Sequence, residues 1–236
     1  MELPTLWPNR DASLQHLRSK QPSRLRVVQA LFDAIDECVD LLQDLSPTTN
    51  GPYSLACAIA ATKGKNLAKA ALGTIADGYG QESGALLRPL LEYIELLAYF
   101  ESFPSETDAA FEDRLPPAGE RARRIQGKFQ VLREHLNKNA SHGSYSVHSV
   151  GHLIRDDLRV NKSPNFSPEV FDVNFRTLTV FLIFLLAACV FAIRHISESE
   201  MRAQEEKFHK LVGRARDVFD FPLGPVDEID SPIGPA

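Results

Sequence analysis

Residues 177–193 read TLTVFLIFLLAACVFAI, seventeen consecutive positions without a charge. A helix of that length sits at the lower limit of what crosses a bilayer. A helix apolar on every side is also what the centre of a helical protein requires, because neighbours cover it all round. Asp172 and Arg176 precede the run and Arg194 follows it, so flanking charge gives no orientation signal. We read it as the core of a helix over residues 168–195, with a membrane anchor as the alternative.

The segments around this run carry helical patterns of their own. Upstream, Val28, Leu31, Phe32, Ile35, Val39 and Leu42 recur at helical intervals behind Pro22 and Ser23, predicting a helix to about Leu45. Alanine dominates residues 54–76, where Gly64 and Gly73 would let a neighbouring helix approach closely. The stretch QESGALLRPLLEYIELLAYF at 81–100 predicts a third helix with Pro89 inside it or in its first turn; an interior Pro89 would kink the helix near Gly84 or Ala85. After a connection with a short acidic helical piece, Ile125, Phe129, Leu132 and Leu136 lie on one face of a fourth helix continuing to about Ala140. Residues 143–167 follow no regular period, and a charged amphipathic helix to about Phe219 follows the apolar one. The expected fold is all-α, an antiparallel bundle of about five to six helices. It comprises an N-terminal arm (1–22), a single domain (23–217) and a disordered, acidic, proline-rich tail (218–236).

Composition narrows the functional classes. Hydrophobic residues make up 44% of the 236 and charged residues 24%, enough to build a core. A net charge of -5 exerts no global pull on nucleic acid, so RNA contact would need a local basic face. The densest is ERARRIQGK at 120–128, which offers Arg121, Arg124 and Lys128, with Lys138 further along; a solvated helix face is the commoner reading. Cys38, Cys57 and Cys189 are far apart in sequence and form no Cys-x-x-Cys, which reads as buried thiols. The N-terminus lacks the pattern of a secretory signal, and the expected location is the cytoplasm.

Polar groups on apolar helices mark the candidate sites. Arg88, Glu92, Glu95 and Tyr99 fall at i, i+4, i+7 and i+11, one stripe that is either a wet edge or a seam facing a cleft. Extending the stripe of the fourth helix turns Asn139 inward and leaves His142 at its border, where Arg88 or Glu92 could supply partners. The set Arg88, Glu92, Asn139 and His142 is then either a structural network or a tuned acid–base site. His148 and His152 are four residues apart, but Gly151 and the lack of a third ligand argue against a metal. No cofactor-binding motif is present.

Together, ALLRPLLE (85–92), KNASHGS (138–144) and the apolar helix after them resemble a group of uncharacterised bacterial helical proteins. That group is similar in pattern to the HEPN (higher eukaryotes and prokaryotes nucleotide-binding) superfamily, over roughly residues 24–195. The resemblance implies a helical bundle, commonly a homodimer, and, in many members, a metal-independent toxin or defence ribonuclease. Such enzymes use an arginine, four to six intervening residues and a histidine. Only His142 and Asn139 sit where that motif should lie; Lys138 is too close to serve as the arginine and Arg133 too far upstream. Arg10 with His16 and Arg202 with His209 match the spacing without the setting, which a loose motif does by chance.

Overall fold

The computed structural model describes residues 8–44, 51–139, 159 and 166–220. Among these the protein is all-helical, with nine α-helices where five to six were expected. They are α1 (Pro8–Lys20), α2 (Pro22–Asp44), α3 (Gly51–Ala76), α4 (Gly80–Ser102), α5 (Thr107–Phe111), α6 (Ala118–Arg124), α7 (Gln130–Asn139), α8 (Pro168–Ile193) and α9 (Glu198–Phe219). A 3₁₀ turn, Pro104–Glu106, joins α4 to α5. The expected tail lies outside the described residues from position 221 onward.

The apolar run lies within α8, whose start is fixed by Ser167: its hydroxyl accepts from the Val170 amide at 3.3 Å, with Pro168 in the first turn. Helices α2, α3, α4 and α9 all pack against α8. Phe175, Leu178, Phe181, Leu182, Leu185 and Cys189 are completely buried as a result. By length and composition α8 is the one described helix able to cross a membrane, yet two-thirds of its most apolar stretch is covered by the protein itself. Burying each such side chain contributes about 1.5–3 kcal/mol, which explains why the 177–193 run of α8 is free of charge.

Alanine and glycine let α3 come close. A Cβ on Gly64 would stand 3.0 Å from Leu185 Cδ1, so that contact depends on the missing side chain. The Tyr53 hydroxyl donates to the Ala192 carbonyl at 2.9 Å and ties the start of α3 to the end of α8. At its other end α3 turns into α4 through Gly78, whose φ of 89° suits glycine.

Helix α1, part of the expected arm, is fastened across the end of α3. Ser13 donates to the Ala76 carbonyl at 2.8 Å, Asn9 to the Asp77 carbonyl at 3.2 Å, and Arg10 grips the Asp77 carboxylate through two bonds. These side chains satisfy carbonyls that a helix C-terminus leaves open.

The expected fourth helix is interrupted. Gln126 and Gly127 adopt positive φ values of 59° and 64°, ending α6 and restarting the chain as α7. A glycine tolerates that conformation, and Ile125 and Leu136 still reach the core from either side of the break. Leu132, Leu136 and Asn139 all belong to α7, after the break; the side chain of Asn139 lies outside what is described.

Candidate functional site: the polar seam of α4

The stripe Arg88, Glu92, Glu95 and Tyr99 runs from solvent into the core. Arg88 is exposed, Glu92 half-buried, Glu95 2% exposed and Tyr99 fully buried. Helices α6 and α7 pack over its inner half. The seam is therefore neither a simple wet edge nor a simple cleft.

Each buried polar group in it has found a cation. The Arg133 guanidinium of α7 forks onto Glu95, with Nε donating to Oε1 at 3.2 Å and a terminal nitrogen donating to Oε2. Burial pushes the Glu95 carboxyl up from its ordinary value, Arg133 opposes the shift, and the neighbouring Glu92 charge adds to it. One turn deeper, Arg124 of α6 donates to the Tyr99 hydroxyl at 2.8 Å and reaches the Glu106 carboxylate at 3.3 Å. Burial raises the Tyr99 phenol, with the Glu106 charge acting in the same direction. The Arg124 guanidinium also lies 6.0 Å from the Phe103 ring centre.

The residues expected to form a site are thus distributed. Arg88 makes no hydrogen bond or ion pair among the described residues, and Glu92 touches neither arginine of the seam. Only the backbone of Lys138 and Asn139 is described, and His142, His148 and His152 lie outside the described residues. Within the basic patch, Arg121 donates to the Pro116 carbonyl at 2.6 Å, and Arg124 is spent on Tyr99, Glu106 and Glu120. Arg123 is left exposed and Lys128 half-buried. The two arginine–histidine pairs with motif-like spacing are also engaged elsewhere: Arg10 holds Asp77 and Arg202 holds Glu198.

Three arrangements have no counterpart in the sequence reading. The first is the pairing of Arg133, weighed in the sequence only as a motif arginine, with Glu95. The second is a junction of α1, α2 and α8, where Asp172 collects His16 Nε2 at 3.1 Å, Gln21 Nε2 at 2.5 Å and Arg24 at 3.4 Å. Phe166 and Phe171 stand edge-on to the His16 ring, and Arg24 also donates to the Val218 carbonyl at 3.2 Å. All the donors meet one carboxylate, which is the pattern of a staple. The third is a cleft of about 420 Å³ lined by Tyr53, Ser105, Thr107, Asp108 and His195. There His195 Nε2 donates to the Glu101 carbonyl at 2.7 Å.

Among the described residues, no three His, Cys, Asp or Glu side chains converge as metal ligands. The three cysteines are buried free thiols, and burial pushes Cys38 and Cys57 up to about 12 and Cys189 well above its ordinary value. No protein-family model, curated protein or solved structure matches the chain.

Proposed function

We propose that the chain is a non-catalytic helical domain, a binding or regulatory module whose buried polar groups serve packing. The observation that carries this reading is the closure of Glu95 by Arg133. A carboxylate that works on a ligand needs an open approach, whereas this one is enclosed and its charge is answered within the fold. Tyr99 is occupied in the same way by Arg124. On this reading the helices form an antiparallel bundle acting in the cytoplasm, and the partner is another macromolecule, a second copy of the chain included.

The test is incubation of RNA with the purified protein and with His142→Ala. The reading predicts no cleavage that depends on His142. Cleavage by the wild type that disappears in a correctly folded His142→Ala protein would overturn it.

One observation favours a second reading, a HEPN-like metal-independent ribonuclease: Arg88 is exposed and carries no counter-charge among the described residues. In that case Arg88 or Lys138 would stabilise developing phosphate charge while His142 acts as acid or base, with Glu92 and Asn139 beside it. Arg121, Arg124 and Lys128 would hold the RNA. Internal pairing of Arg121 and Arg124 weighs against that last role. A membrane-anchored form rests on the length and composition of α8 alone, and the cover supplied by four helices weighs against it.

A further inference from the structure

A groove of about 270 Å³ lies between the first turns of α2 and the last turns of α9. Val27, Leu211 and Val218 give it apolar walls, and Arg26 and Arg214 stand on it with a single acid, Asp217. Arg26 donates to Ser23 at 3.2 Å, and neither arginine has an acidic partner among the described residues. A second exposed feature mirrors this one. On α5 the Phe111 ring is 50% exposed, and Asp108, Glu112 and Asp113 are exposed around it. Glu112 pairs with Arg114, whereas Asp108 and Asp113 have no cationic partner among the described residues. A single exposed aromatic needs no explanation of its own. Set between two unanswered carboxylates, it is the counterpart of an apolar groove set between two unanswered guanidinium groups.

The two features cannot meet within one molecule. Asp36 of α2 pairs with Lys65 of α3, and Phe32, one turn earlier, lies under Lys69, one turn later, so the two helices run in opposite directions. Val27 precedes Asp36 by nine residues and Tyr53 precedes Lys65 by twelve. At about 1.5 Å per residue, about 30 Å of helix separates the level of the groove from the start of α3. Helix α5 sits at that start, since Tyr53, Ser105, Thr107 and Asp108 line one cleft. We propose that Phe111 of one molecule seats in the α2–α9 groove of a second copy, where Asp108 and Asp113 meet Arg26 and Arg214. The proposal rests on the reading of the chain as a binding module and names its partner. Because the two surfaces differ, the contact is head-to-tail and leaves a free groove and a free Phe111 at the ends of every assembly that does not close. One aromatic ring and two ion pairs make a small interface, so association belongs at about 100 μM rather than in the nanomolar range.

Sedimentation equilibrium of the full-length protein, at concentrations up to about 0.5 mM, tests the proposal. The average mass of the wild type should rise from 26.3 kDa toward twice that value and beyond, and should rise less at high salt. Phe111→Ser and Arg214→Glu, both at exposed positions, should each stay monomeric with an unchanged helical circular dichroism spectrum. An equimolar mixture of the two variants should form a dimer and stop there. The Phe111→Ser copy keeps its groove and the Arg214→Glu copy keeps its Phe111, so one contact forms and no second can. A monomeric wild type would overturn the proposal, as would association that survives in either variant alone or a mixture that stays monomeric. Those results leave the binding-module reading standing with a different partner, whereas RNA cleavage that depends on His142 would remove that reading itself.

Discussion

Glu95 of α4 and Arg133 of α7 face each other through a two-pronged hydrogen-bonded ion pair, with the carboxylate almost wholly buried. The pair joins α4 to α7, the second half of the interrupted segment. It places a charge inside the protein on the condition that α7 stays docked.

That burial has a signature in pH. The folded-state pKa of Glu95 is raised above its ordinary value of 4.5, so the fold retains a proton that the unfolded chain has already released. Its contribution to stability is therefore greatest below the ordinary carboxyl range and declines as pH rises through the window just above 4.5. Replacing Glu95 with Gln removes this slope. The check is urea unfolding of wild type and Glu95→Gln between pH 4 and 7: the stability difference between the two should change across that range.

Enclosure of α8 predicts behaviour opposite to that of a membrane span. Leu185 is fully buried and in contact with the Gly64 position of α3. Leu185→Ala should cost about 2–5 kcal/mol in denaturant unfolding. Full-length protein should also be recovered in the soluble fraction without detergent. Extraction only by detergent, with Leu185→Ala leaving the unfolding midpoint unchanged, would mark α8 as lipid-facing.

The cysteines give a third check. All three are buried, and their thiols are held protonated by that burial. A thiol-specific reagent at pH 8 should label none of them in the native protein within minutes and all three in guanidinium. Rapid labelling of any cysteine under native conditions would show that the packing of α2, α3 and α8 opens readily.

The long helices were legible because their apolar residues recur at the helical period: α2, α4, α8 and α9 lie within a few residues of where the pattern put them. The break between α6 and α7 was not. Gly127 sits inside a pattern that continues on both sides, and nothing in the sequence marks Gln126 for a positive φ. The break separates Ile125 from the rest of the stripe, whereas Leu132, Leu136 and Asn139 stay together on α7. The stripe on α4 was visible as a stripe, but which of its members would be buried depended on where α6 and α7 lay across it. The partners of Glu95 and Tyr99 lie 38 and 25 residues away. Docking of α1 escaped for a different reason: it rests on side chains bonded to the end of α3, which leave no period in the sequence.

The central claim is that the polar groups of α4 hold helices together, and a double-mutant cycle on Glu95 and Arg133, read by urea unfolding, tests it most directly. Arg133→Ala alone strands a buried carboxylate and should cost about 3 kcal/mol. Replacing Glu95 with Leu in the same protein should recover much of that loss, giving a coupling energy of about 1–3 kcal/mol. Arg133→Ala with unchanged stability, or costs that simply add, would contradict the account and free both residues for another role.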